Sequence, residues 1–329
     1  MNMSEDIRLS IVVPVYNGKD TIRELTAQIS STLAPSEYAE YYEIILVNDC
    51  GKADAWPTIR ELAVEFPYVR GINLRKNFGQ HNATMAGLSY ARADIIIVMD
   101  EDLQHPPSAI LPLAASIRAG NDVCYTRYQD RKHATWKRWG SSFNDFMAQW
   151  IIRKPRGLYL SSYKAVSKGV AEAILGYDGP YPYIDGLLLS TTNSIDAIDV
   201  YHQERLSGVS SYNLRRLVSL WLKMATGTSV YPLRLATFAG FAVAVVSLLL
   251  LLYVLAIRML NPDIPHGWAS VVCTILFIGG MQMVFLGVVG EYVGRIYLRL
   301  NKVPQFIVRD TTFPATRMGK RAASENDQR

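Results

Sequence analysis

Asp100 and Asp102 are two carboxylates one residue apart, placed directly after the apolar run Ile95–Met99. A short run of mostly β-branched residues reads as a buried strand. Side chains alternate along a strand, so positions 100 and 102 share a side. In an open α/β sheet the C-terminal ends of the strands are where ligands bind. Two carboxylates at such an end repel each other unless a cation stands between them. A hard, oxygen-loving ion such as Mg²⁺ or Mn²⁺ suits the pair, with a substrate phosphate completing its shell. The alternative for an acidic pair is a solvated loop.

Three further apolar runs end in polar chemistry: Pro14-Val15-Tyr16-Asn17-Gly18, Asn48-Asp49, and Arg75-Lys76-Asn77-Phe78-Gly79-Gln80-His81. An aromatic ring, a carboxylate and amides can stack on and hydrogen-bond a nucleobase and ribose, leaving a diphosphate to reach a cation at Asp100 and Asp102. Asn, Asp and Gly at strand ends are commonly turn residues. Four such ends together, one carrying an acidic pair, exceed what turns alone require. The chain has no glycine-rich phosphate loop of either common type. Phosphates would therefore be met by metal and by basic side chains. The candidates are Arg127, Arg131, Lys132, Lys137 and Arg138, and later Arg205, which precedes the turn Ser207-Gly208-Val209-Ser210.

The elements that must position these residues alternate. Leu9–Val15, Glu43–Val47, Val69–Leu74, Asp94–Met99 and Asp122–Tyr125 read as strands. Thr21–Thr32, Trp56–Phe66, Gln80–Ala91 and Ser108–Ala119 read as helices. This alternation predicts a mostly parallel, three-layer α/β sheet. The 329 residues carry a net charge of +5 and are 50% hydrophobic, enough for one sizeable domain and something more. The polar start Met1–Arg8 is not a secretory signal peptide. Cys50, Cys124 and Cys273 are too dispersed for a disulfide framework or a zinc site.

Composition changes near residue 233. Leu235–Ile257 is 23 residues without a charge, and Trp268–Gly290 is a second uncharged stretch. A helix of that length spans a hydrocarbon core of about 30 Å. The short connection between them holds Asn261-Pro262 and Ile264-Pro265, a turn signal, so the pair predicts a transmembrane hairpin. Arg205–Arg234 carries five basic residues and no acid, and Arg295, Arg299 and Lys302 follow the second stretch. The positive-inside rule then puts both termini and the α/β domain in the cytoplasm of a multi-pass inner-membrane protein. Leu214, Leu217, Val218, Trp221, Leu222 and Ala225 share one helical face opposite Arg215, Arg216 and Lys223, which predicts an interfacial amphipathic helix. The expected organisation is an α/β domain over 1–210, a juxtamembrane helix over 211–232, a hairpin over 233–294, and a cytoplasmic tail over 295–329. No nucleic-acid partner is expected.

The motifs Ile11-Val12-Val13-Pro14-Val15-Tyr16-Asn17, Val47-Asn48-Asp49, Asn77-Phe78-Gly79-Gln80 and Asp100-Glu101-Asp102-Leu103-Gln104-His105-Pro106-Pro107 resemble family 2 glycosyltransferases of GT-A fold. Glu204–Ser210, two spans, and Gly290-Glu291-Tyr292-Val293-Gly294-Arg295-Ile296-Tyr297 narrow the resemblance. That order is similar to the polyprenyl-phosphate glycosyltransferases, among them dolichol-phosphate mannose synthase, bactoprenol glucosyltransferases and the undecaprenyl-phosphate aminoarabinose transferase.

The resemblance implies an inverting transfer of one sugar from a nucleotide-diphosphate sugar to a polyprenyl phosphate, with undecaprenyl phosphate the expected lipid. It implies that Pro14, Tyr16, Asn17, Asp49, Asn77, Gln80 and Asp100 bind nucleotide, and that Asp100 and Asp102 hold Mg²⁺ or Mn²⁺. It implies that Asp100, Asp102, Arg127 and Arg131 are catalytic, and that Arg131, Arg138, Arg205 and Ser210 meet the acceptor phosphate. A homo-oligomer, a tetramer by resemblance, is also implied, with the apolar stretch Gln305–Val308 a candidate for pairing between subunits. Four positions depart from the pattern. Gly18 stands where Glu is common, Cys50-Gly51 where Gly-Ser is usual, and Ser211 where Lys follows the Ser. Leu158-Tyr159-Leu160-Ser161 lacks the acid and base of Asp-Phe-Arg-Leu. A sugar or diacylglycerol acceptor, or a non-catalytic membrane scaffold, are the competing readings.

Overall fold

The computed structural model describes residues 7–128, 158–200, 231–260 and 267–314. They divide into two compact units, 1–213 with 302–329, and 214–301.

The first unit is built on one mixed sheet. Its strands are β1 (Leu9–Val15), β2 (Tyr42–Asn48), β3 (Val69–Leu74), β4 (Ile95–Val98), β5 (Val123–Tyr128), β6 (Lys164–Ser167), β7 (Ile195–Val200) and β8 (Val308–Thr311). Their order across the sheet is β7-β5-β6-β4-β1-β2-β3-β8. β1 lies parallel between β2 and β4, and β2 parallel to β3. The β4, β1, β2 and β3 strands therefore end on the same edge. β6 runs antiparallel between β4 and β5, which restores β5 to the direction of β4.

Both faces of the sheet are covered, which is why β1 to β4 read as continuous apolar runs. On one face Ile11, Val13, Val15, Ile44, Leu46, Ile95 and Ile97 pack with α1 (Ile22–Leu33), α2 (Trp56–Glu65) and α4 (Ile110–Arg118). On the other, Val12, Ile45, Val47, Ile96 and Val98 meet α3 (Gln80–Tyr90), α5 (Lys168–Leu175) and α6 (Ile184–Thr191). The three-layer α/β expectation is met. β6, β7 and the antiparallel β8 were not anticipated; Lys164–Ser167 and Ile195–Val200 are short and half polar.

Glu43 anchors the opposite edge of the sheet. Its buried carboxylate accepts Ser10 Oγ at 2.7 Å, Arg70 Nη1 at 2.7 Å and Arg92 Nε at 2.9 Å. Arg70 also stacks over Phe313, with its guanidinium carbon 3.7 Å from the ring centroid.

Phe313 belongs to the segment after the last helix. There β8 pairs antiparallel with β3, Arg75 N–H donates to Ile307 O at 2.9 Å, and the Gln305 amide donates to Tyr177 O. The stretch 305–308, expected as a candidate for pairing between subunits, thus pairs within its own chain. The reason is that β3 would otherwise leave its outer hydrogen-bonding edge open.

The second unit contains α7 (Tyr231–Leu260) and α8 (Trp268–Leu300). A Cβ added to Gly240 of α7 would sit 3.5 Å from the Phe285 ring of α8, an ordinary packing distance. Among the described residues, Phe277–Leu300 is long and apolar enough to cross a membrane. Phe238, Phe241 and Tyr253 of α7, and Ile275, Met283 and Val284 of α8, are exposed. The juxtamembrane stretch 211–230 lies outside the described residues. The helix runs past position 294 to Leu300, and the following residues rejoin the sheet rather than forming a separate tail up to Pro314.

α3 presses tightly on the sheet. A Cβ on Gly87 would lie 2.2 Å from Val12 Cγ1 and 3.2 Å from Val47 Cγ2. Gly87→Ala is accordingly expected to cost about 1–3 kcal/mol of stability by overpacking. The check is the chemical-denaturation midpoint of the detergent-solubilised chain; an unchanged midpoint would contradict this close approach.

Candidate active site

The common edge brings four loops side by side. The first follows β1, with Pro14 buried inside the strand and Tyr16 and Asn17 exposed beyond it. Asp49, just past β2, is buried. Its Oδ1 accepts Phe78 N–H at 2.7 Å and its Oδ2 accepts Gly79 N–H at 2.9 Å. Burial pushes the Asp49 carboxyl up, and the two backbone donors pull it back toward the ionised form. Asp49 thereby fixes the loop between β3 and α3. Gly79 sits at φ 90°, ψ 154°, a backbone conformation closed to side-chain-bearing residues. Asn77, in the same loop, is exposed. Cys50, where the resemblance expects glycine, takes a left-handed φ of 48°, at a cost of about 1 kcal/mol. Its thiol donates to Leu74 O at 3.0 Å.

Asp100 lies two residues beyond β4. Its Oδ1 accepts the Gln80 amide at 2.6 Å, and its Oδ2 accepts Ser162 Oγ at 2.6 Å. Its own N–H donates to His105 Nδ1 at 3.0 Å, which makes Nδ1 an acceptor and leaves the ring proton on Nε2. Nε2 stands 3.4 Å from Ser162 Oγ and 3.7 Å from Asp100 Oδ2. The His105 ring stacks on Tyr163 with centroids 4.8 Å apart. Asp102 Oδ1 accepts Gln104 N–H at 3.1 Å, and Leu103 takes a φ of 60° that turns the chain back. The intervening Glu101 accepts the N–H groups of Tyr16, Asn17 and Gly18.

Asp49, Asp100, Asp102, Gln80 and the Tyr16–Asn17 loop therefore meet on one edge of the sheet. Arg127, at the end of β5, forms a two-pronged ion pair with Asp199 of β7 (Nε to Oδ1 2.5 Å, Nη2 to Oδ2 3.0 Å) and is exposed. Arg131, Arg138, Arg205 and Ser210 lie outside the described residues.

The structure adds residues that the sequence reading passed over. Position 158–161 lacked an acid and a base, yet Lys164 and Asp185 form a buried ion pair nearby in the fold. Tyr125 OH donates to the same Asp185 oxygen at 3.0 Å. Burial pushes the His81 imidazole down, and it feels Asp185, Lys164 and Asp100 together. The His81 ring meets Tyr183 edge-on at 5.4 Å. A lysine at the start of a short strand was the available signal, but its partner comes from a helix 21 residues later.

The pair has a testable energetic signature. Asp185→Ala leaves a buried ammonium without its counter-charge and is expected to destabilise the domain by about 3–5 kcal/mol. Lys164→Met combined with Asp185→Leu should recover most of that loss. Denaturant unfolding of the three proteins checks it; a double variant as unstable as Asp185→Ala would refute the pairing.

Residues 10–174 match the family model for glycosyl transferase family 2. The chain is 32% identical over 327 residues to undecaprenyl-phosphate 4-deoxy-4-formamido-L-arabinose transferase of Shewanella sediminis, covering 97% of this chain and 96% of that protein. It is 30% identical to the uncharacterized glycosyltransferase YkcC of Bacillus subtilis, covering 93% and 95%. The crystal structure of glucosyl-3-phosphoglycerate synthase from Mycobacterium tuberculosis with Mn²⁺, UDP-glucose and phosphoglyceric acid overlaps 67% of this chain and 78% of that one at 17% identity, with a TM-score of 0.48. On the family model and on near-full-length identity of this degree, the chain belongs to glycosyl transferase family 2.

Proposed function

We propose that this enzyme transfers one sugar from a nucleotide-diphosphate sugar to a polyprenyl phosphate, forming a polyprenyl-monophosphate sugar at the cytoplasmic face of a membrane. The observation that carries the reading is the acidic pair Asp100 and Asp102, set at the ligand edge of the sheet in a chain similar along nearly its whole length to an undecaprenyl-phosphate transferase. The exposed apolar surfaces of α7 and α8 support two membrane crossings, which would keep the catalytic unit where a lipid headgroup is presented.

The donor would lie along the loops after β1, β2 and β3. Tyr16 offers a ring for the base, Asn17, Asn77 and Gln80 offer amides, and Asp49 holds the loop that carries the last two. The oxygens of Asp100 and Asp102 are hard donors and fit Mg²⁺ or Mn²⁺. Among the described residues no group of three or more His, Cys, Asp or Glu is arranged to hold a metal unaided, so the fit requires substrate oxygens in the shell. Such an ion, when bound, would neutralise charge on the departing diphosphate. Gln80 and Ser162 hold the Asp100 carboxylate from both sides, so its orientation is set before substrate arrives.

The nucleophile is an oxygen of the acceptor phosphate, which is already anionic near neutral pH and needs no general base. The oxygen attacks the anomeric carbon, the new C–O bond forms as the bond to the β-phosphate oxygen breaks, and the electron pair leaves with the nucleoside diphosphate. One displacement inverts the anomeric centre. Arg127 and Arg131 would offset the negative charge of two converging anions, and Arg131, Arg138, Arg205 and Ser210 would align the lipid phosphate.

The test is incubation of the detergent-purified chain with Mg²⁺, undecaprenyl phosphate and radiolabelled nucleotide sugars, followed by lipid extraction. Label is expected in a mild-acid-labile lipid and should disappear with EDTA. Asp102→Asn should lower the rate by about 10²-fold or more while the chain stays folded. Label appearing instead in a sugar or diacylglycerol acceptor would overturn the acceptor assignment, and near-normal turnover of Asp102→Asn would overturn the metal role.

A further inference from the structure

Glu101 occupies the middle of the acidic triplet but faces away from the two aspartates' task. Its Oε2 accepts Tyr16 N–H at 2.9 Å and Gly18 N–H at 2.8 Å, and its Oε1 accepts Asn17 N–H at 2.9 Å. Three successive backbone donors converging on one carboxylate form a concave anion nest, filled here by the protein itself. Charge-assisted bonds of this kind are stronger than neutral ones.

The nest has been shaped to receive that side chain. A Cβ at position 18 would lie 2.3 Å from Glu101 Oε2 and 2.7 Å from its Cδ, so a side chain there would displace the carboxylate from its place. Gly18 and Glu101, separated by 83 positions, therefore form one device. The loop it holds is otherwise exposed at both Tyr16 and Asn17. On one side of Glu101 is the loop with the ring and amide; on the other is the strand end with Asp100 and Asp102.

We propose that Glu101 is a positioning residue for the donor nucleotide. It ties the Tyr16–Asn17 loop to the Asp100–Asp102 strand end, so that the base-facing and diphosphate-facing halves of the site keep one spacing, and Gly18 makes room for the tie. The inference rests on the nucleotide-sugar reading above. Glu101 touches neither donor nor acceptor; it acts through the loop. Without it, ordering the loop has to be driven by nucleotide binding, a cost that falls equally on ground state and transition state. Such a loss raises KM and leaves kcat nearly unchanged.

The experiment uses the full detergent-solubilised chain. Affinity for UDP, GDP, CDP and dTDP with Mg²⁺ is measured by calorimetry, and KM and kcat with the matching nucleotide sugar. Glu101→Ala and Gly18→Ala are each expected to weaken nucleotide binding and raise KM by about tenfold, with kcat changed less than about threefold. The double variant should be no worse than either single one, because both remove the same tie. Glu101→Gln, which keeps one acceptor oxygen, should fall between wild type and Glu101→Ala. Unchanged affinity in folded Glu101→Ala or Gly18→Ala would overturn the proposal, as would effects that multiply in the double variant. Wild-type protein that binds none of the four nucleotides would instead overturn the nucleotide-sugar reading, and this inference with it.

Discussion

The parallel placement of β1 between β2 and β4 is the constraint on which the rest depends. Parallel neighbours must be joined by crossovers, and the crossovers cover both faces of the sheet. The strands are consequently apolar on both sides, and their polar endings have only the C-terminal edge available. Asp49, Tyr16, Asp100 and the Asn77–Gln80 loop are brought together by this pairing, although they are scattered over 85 positions. α3 packs closely on the sheet at Gly87, and its first residue, Gln80, donates to Asp100.

Gathering acids on one edge raises an electrostatic problem, and each carboxylate answers it differently. Asp49 and Glu101 are stabilised by backbone N–H groups of neighbouring loops, Asp100 by side chains of Gln80 and Ser162, and Asp185 by a buried lysine and a tyrosine. Donors fixed by the backbone need no reorganisation on ligand binding, whereas side-chain donors can exchange with one. That division matches the roles assigned here: Asp49 and Glu101 hold loops, while Asp100 faces the substrate. The Glu43 cluster performs the corresponding task at the opposite edge, where Arg70 and Arg92 meet one buried carboxylate.

The apolar helices form a separate compact unit, yet the chain after them is part of the sheet. β8 caps the edge of β3, and Phe313 stacks under Arg70 of the Glu43 cluster. Asp310 reaches Asn73, which in turn bonds Asn48 beside Asp49. The catalytic unit is thus completed only by residues made after both long helices.

Much of this was legible in the residues themselves. Runs of β-branched residues and their helical partners mark β1 to β5 and α1 to α4 to within a few positions, because local periodicity reports which faces are buried. The acidic pair was legible for a similar reason: an apolar strand followed at once by charge has few structural explanations. The two long apolar stretches follow from length and the absence of charge. Partners across long sequence distances were not legible. Ser162 reaches Asp100 only because β6 inserts antiparallel beside β4, and Lys164 finds Asp185 only through the packing of α6. Glu101 looked like one more acid of the triplet until the β1 loop was seen folded over it. Local pattern records what a residue's own neighbours require of it, whereas hydrogen bonds between distant loops depend on strand order and direction, which the tertiary structure alone decides.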